Sequence, residues 1–160
     1  MMRAPCQGCG GMFSADRPGA THPYMLGSAG CWATYGEVLA REYEQPPLFQ
    51  AVHRLTVDAY AVQHPGDPDD RRARQSVWIH AAALFVIFER GADHAEARKL
   101  LSALAHREFP LLPAHQPFAI TTAEVAAAPP ARHVEMVEAW ARDAHRCWAG
   151  LRPDIIALLG

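Results

Sequence analysis

The chain has 160 residues, half of them hydrophobic, and 15 Lys and Arg against 17 Asp and Glu give it a formal charge of −2. That length suits one domain, 1–160, whose core needs no disulfide to hold it. The balance excludes the basic field on which nucleic-acid binding relies, and Arg71, Arg72 and Arg74 are offset by Asp67, Asp69 and Asp70. No stretch approaches the ~20 apolar residues of a membrane span. The opening Met1-Met2-Arg3-Ala4-Pro5 lacks the apolar core of a signal peptide, so the expected location is the reducing cytoplasm. Clustered cysteines there are more often metal ligands or redox groups than structural disulfides.

Residues 1–30 are rich in glycine and proline and poor in apolar runs, which predicts an irregular segment that something else must pin. From Cys31 onward the pattern is helical, so 31–160 should form a helical bundle. The first helix is expected from about Cys31 to Tyr43, stopped by Pro46-Pro47. The second spans Leu48 to Gln63, with Leu48, Val52, Leu55, Ala59 and Val62 on one stripe. It ends at His64, because a residue before proline is pushed out of the α region and Pro65-Gly66-Asp67-Pro68 turns the chain.

The third helix, about Asp69 to Arg90, is charged at its start and then apolar on almost every face from Val77 to Phe88, which places it at the bundle centre. Gly91 reads as its C-cap, and Asp93 with Glu96 as the capping box of a fourth helix reaching about His106. Pro110, Pro113 and Pro117 then make an extended loop over the bundle. Thr121 with Glu124 caps a short helix, and Pro129-Pro130 starts a longer one that buries Val137, Trp140, Ala144 and Trp148. No run alternates for long enough to build a sheet, so the class is all-α.

Chemistry concentrates at the N-terminus. Cys6-Gln7-Gly8-Cys9-Gly10 has the C-x2-C-G form of a zinc knuckle, in which two thiolates on a tight turn grip one ion. Cys31 supplies a third thiolate. If the first two helices form an antiparallel hairpin, the start of the first lies beside the end of the second, which makes His64 a candidate fourth ligand; His22 is the other. A thiolate at a helix N-terminus and a cation at a helix C-terminus are both favoured by the macrodipole. The expected cofactor is zinc, held by a Cys3His set.

A second constellation lies on the second and third helices. His53 and His80 are each about eleven residues from the bend between those helices, hence at similar height, with Tyr60 and Gln63 as nearby polar groups. An imidazole on an apolar face needs a partner. His53, His80 and Tyr60 are therefore the candidates for acid–base work, set against the plainer reading of satisfied core histidines. Asp58 is one turn after Arg54 and reads as an i, i+4 ion pair. Cys147 reads as a small buried hydrophobe, and His133 and His145 show no carboxylate at ligand spacing.

The cysteine opening, the later Cys31, and the run from Val52 through Asp58-Ala59-Tyr60-Ala61-Val62-Gln63-His64-Pro65-Gly66 resemble a family of short bacterial proteins of unknown function, over residues 6 to about 90. The resemblance implies that these positions form one unit and implies no activity. Three functions fit these residues. One is a non-enzymatic zinc protein whose ion staples the N-terminal segment to the bundle, for a protein or small-molecule partner. Another is a zinc hydrolase or transferase with an open metal position and His53 or His80 as acid–base group. The third is a thiol-based redox or metal sensor. Three thiolates weaken zinc's power to acidify water, which favours the first.

Overall fold

In the computed structural model, which describes residues 2–160, the helical part of the chain begins at Ser28. Its side chain accepts the Cys31 backbone N–H at 3.1 Å, so helix α1 (Ala29–Tyr43) starts two residues before Cys31 and sets that cysteine in its first turn. Helix α2 (Pro46–Gln63) opens directly on the prolines expected to end the previous helix. Pro46 and Pro47 sit in its first turn, where their missing N–H groups cost nothing. Val52, Leu55, Ala59 and Val62 form its buried stripe, and it stops at Gln63 as the following His64-Pro65 dictates.

Helix α3 (Arg71–Arg90) is the central helix, packed against α2 and, as the chain continues, against α4 (His94–Leu104), α6 (His133–Cys147) and α7 (Arg152–Leu159). Asp70 caps its start, and Gly91 ends it in the left-handed conformation at φ 67°. Both anticipated capping boxes form: Asp93 with Glu96 opens α4, and Thr121 with Glu124 opens the short α5 (Thr122–Ala127). The proline loop between them lies on the bundle, with Trp78 donating to the Pro110 carbonyl at 3.0 Å and Phe109 stacked on the Trp78 ring. Pro130–Arg132 make a single 3-10 turn before α6, which lays Val137, Trp140 and Ala144 against the core.

Two regions depart from expectation. Residues 1–30, expected to be irregular, contain a small antiparallel pair, β1 (Arg3–Pro5) and β2 (Met12–Ser14), which no alternating run announces because each strand is only three residues long. Its tight turn carries the two cysteines. At the other end α7 follows a second 3-10 turn and buries Ile155 against α3. Its cue is Pro153 and Asp154 ahead of Ile155 and Ile156, a proline and an acid in a first turn. Among the described residues there are seven α-helices, none long and apolar enough to cross a membrane.

Candidate metal centre

The β1–β2 turn is shaped to present sulfur. Cys6 N–H donates to the Gly11 carbonyl at 2.8 Å and Gly10 N–H to the Cys6 carbonyl at 2.9 Å. Gly10 closes the turn at φ 77°, a left-handed conformation that favours glycine. Gly8 serves differently. A side chain there would collide with the Leu26 carbonyl and the His64 ring, so the turn can sit against the end of α2 only with hydrogen at this position.

Three separate segments meet at that contact. Cys6 and Cys9 come from the hairpin, Cys31 from the first turn of α1, and His64 from the residue after α2. Their four ligand atoms lie within 4.8 Å of one another, and the residues are 0–4% exposed. Cys9 Sγ and Cys31 Sγ are 3.9 Å apart, and Cys31 Sγ is 3.3 Å from His64 Nε2. A tetrahedral ion with metal–sulfur bonds of about 2.3 Å spaces its sulfurs by about 3.8 Å, so this group could hold a metal ion with little movement. All the cysteines are free thiols.

The surroundings orient the donors. His64 Nδ1–H donates to the Tyr60 carbonyl at 2.7 Å, and the ring stacks on Tyr60 at 3.9 Å, which directs Nε2 to the sulfurs. Ser28 N–H donates to Cys6 Sγ at 3.4 Å. Tyr60 Oη and Thr122 Oγ1 lie 3.5 and 3.7 Å from Cys31 Sγ. Burial, reinforced by the neighbouring sulfurs, pushes the Tyr60 phenol well above its usual range, so it stays protonated and donates.

The group is electrically poised for a cation. Hydrogen bonds from Cys31 and then Cys9 hold Cys6 far below the usual thiol range, while its contacts with Cys31 and Cys6 push Cys9 far above it. Burial pulls the His64 imidazole down, yet its hydrogen bonds to Cys31 and Cys6 outweigh that and carry it up to about 9. A positive His64 beside the Cys6 thiolate marks the charge that a metal ion could supply in its place.

His22, the other candidate for the fourth position, is not in the group. Its Nδ1 accepts the backbone N–H groups of Tyr24 and Met25 at 3.2 and 3.3 Å, and its ring lies edge-on to Tyr24 and Trp32. It shapes the loop that returns to α1 and spends its lone pair doing so.

His53 and His80 meet separate carboxylates. His53 Nδ1 donates to Glu42 Oε1 at 2.9 Å and His80 Nδ1 to Asp58 Oδ1 at 2.7 Å, so each is bound to its own fully buried carboxylate. Arg54 also engages Asp58 through both Nε and Nη2, the i, i+4 pair read from the spacing. Tyr60 belongs to the sulfur cluster, and Gln63 bridges the Ile120 carbonyl and the Trp140 indole. Cys147 is buried, as expected, and its thiol meets the Pro117 carbonyl.

Two residues matter beyond the candidates: Glu42, and His133, which shows no carboxylate at ligand spacing in the sequence. Glu42 is fully buried, and its Oε2 accepts from His133 Nε2 at 2.7 Å and from Thr56 Oγ1 at 2.6 Å. Arg41 can only donate to His133 Nδ1, at 3.1 Å, which fixes His133 as the neutral Nε2–H tautomer. A signal existed for both. Glu42 continues the Cys31, Tyr35, Val38 stripe of α1, and His133 precedes Val137 and Trp140 on the buried face of α6.

The model of a family of unknown function, DUF5946, matches residues 4–149, a span that takes in the hairpin, all four donor residues and α1 to α6. No curated protein and no solved structure matches the chain. A match over so much of its length makes the chain a member of the DUF5946 family.

Proposed function

We propose that this is a zinc protein in which one ion, held by Cys6, Cys9, Cys31 and His64, staples the N-terminal hairpin to the end of the α1–α2 pair. The observation that carries this reading is the convergence of four buried donors from three separate segments of the chain. Three thiolates and one imidazole form a common closed tetrahedral set for zinc. A complete set of four protein donors leaves no position for a reacting water, which speaks against the hydrolase and transferase reading. His53 lies eleven residues from His64, roughly 16 Å along α2, too far to move a proton at the ion.

Stapling builds a surface. The hairpin turn and the strap from His115 to Glu124 enclose a cleft of about 690 Å³, which exists only while the turn is held against the bundle. A protein or small-molecule partner that uses this cleft would be recognised by the metal-loaded form alone. Cys6 and Cys9 also line it, so a thiol-reactive oxidant has a route to the pair, and this access supports the sensor reading as the second choice. The clustered free thiols suit a reducing compartment such as the cytoplasm.

Metal content by mass spectrometry on untagged protein, beside a His64→Ala variant, tests the proposal. One zinc per chain that is largely lost in the variant is the expected result. Protein that carries no metal under any condition of growth would end it.

A further inference from the structure

Helices α2 and α4 both pack on α3 and leave between them an open cleft of about 720 Å³. Among the nine residues that line it, His53, Arg54, His94, Arg98 and Lys99 are basic, and none is acidic. This is a local excess of positive charge on a chain whose overall charge is slightly negative.

The α2 wall of the cleft is built rather than merely solvated. The His53 and Arg54 side chains are each only 18% exposed, and a fully buried carboxylate holds each one. Glu42 takes His53 Nδ1, and Asp58 takes Arg54 Nε and Nη2, which leaves His53 Nε2 and Arg54 Nη1 as polar atoms with no protein partner among the described residues. Burying a carboxylate is costly unless it is paired, and a histidine that only met water would need none behind it. Across the cleft, Arg98 and Lys99 are exposed and enter no ion pair among the described residues, and the His94 ring has no hydrogen-bond partner there. Phe49, stacked on His53 at 4.1 Å, adds one apolar surface.

We propose that this cleft binds a small molecule through a phosphate or pyrophosphate group, which His53 and Arg54 contact from α2 and Arg98 and Lys99 from α4. A monocarboxylate would satisfy one guanidinium fork. Two uncompensated cations facing two locked donors match a multiply charged anion with oxygens on several sides. The inference is independent of the metal, since the cleft lies toward the other end of α2 from His64.

Calorimetric titration of the full metal-loaded chain with inorganic pyrophosphate at physiological salt tests it. Saturable binding is expected. It should weaken by more than about tenfold in the Arg98→Glu, Lys99→Glu double variant, whose two positions are exposed and outside the core. His53→Asn keeps a donor toward Glu42 while removing Nε2, and should also weaken binding at unchanged zinc content. Four results would overturn the proposal: no saturable binding, equal affinity in the double variant, citrate binding as tightly as pyrophosphate, or an equal loss from a distant charge reversal such as Arg142→Glu.

Discussion

Helix α2 carries His53 near its middle and is followed directly by His64, and the two imidazoles live in opposite chemistry. At the C-terminal end His64 faces three sulfurs and no carboxylate. Three turns earlier His53 faces Glu42, a carboxylate already matched by His133 and Thr56. In the first cluster four ligand atoms converge within 4.8 Å; in the second both carboxylate oxygens have donors, and the two imidazoles bind different oxygens. The same ligand type could therefore help hold a metal in one place and is tied to a carboxylate in the other. What surrounds a histidine, more than its presence, decides its role.

Removing one sulfur should break this contrast most severely. Cys9→Ser is expected to abolish metal retention, since a structural zinc site is worth on the order of 10–16 kcal/mol of apparent binding free energy. Hydrogen exchange should then show residues 3–31 opening while α3 and α6 stay protected, because the bundle core lies elsewhere. Equal deprotection of the whole chain would mean that the ion holds the fold and not the hairpin alone.

Glu42→Gln attacks the other cluster. It leaves two imidazoles and a threonine around a neutral amide, and weakening hydrogen bonds to a buried charged acceptor costs about 1.5–3 kcal/mol. Denaturant unfolding should show that loss at unchanged zinc content, and a parallel fall in zinc would join the two regions into one. The pH dependence sharpens the point. Burial acts to raise the Glu42 carboxyl, but hydrogen bonds from His133, His53 and Thr56 outweigh it and hold the group below its ordinary 4.5. A depressed folded value means that the stabilisation is fully present above 4.5 and is lost as pH falls through the lower folded value. The Gln variant should lack that acid limb of the stability profile.

Smaller changes test the fit between hairpin and helix end. Gly8→Ala drives a methyl group toward the Leu26 carbonyl and the His64 ring, so zinc should leave faster in a chelator-competition assay without loss of helical signal. His22→Ala is expected to have the least effect. It removes one acceptor for two loop N–H groups, worth about 1 kcal/mol, and leaves metal content unchanged. A fall in zinc there would return His22 to the ligand set.

Local signals account for much of the architecture. Capping residues Asp93, Glu96, Thr121 and Glu124, the terminator Gly91 and the His64-Pro65 break act over a few residues, and each appears in the structure where spacing alone placed it. The strands were hidden because a three-residue pair has too few positions for a period to show, and α7 because a short helix with a Pro start carries little amphipathic signal. Glu42 was overlooked for a different reason. Its place on the Val38 stripe is visible, but a charged residue on a buried face reads as an exception until its partners are seen.

The amino-acid sequence by itself determined the helical class, the element breaks and the three thiols of a group that could hold a metal, because caps, prolines and C-x2-C spacing act through neighbouring residues. Tertiary structure alone decided which histidine joins those thiols, and why His53 and His80 turn to separate carboxylates. Those choices depend on groups distant in the chain: Gly8 packs against His64, Thr122 reaches Cys31, and His133 meets Glu42 only when α6 closes on α1 and α2. Donor convergence is a property of packed helices, and no spacing within one segment encodes it.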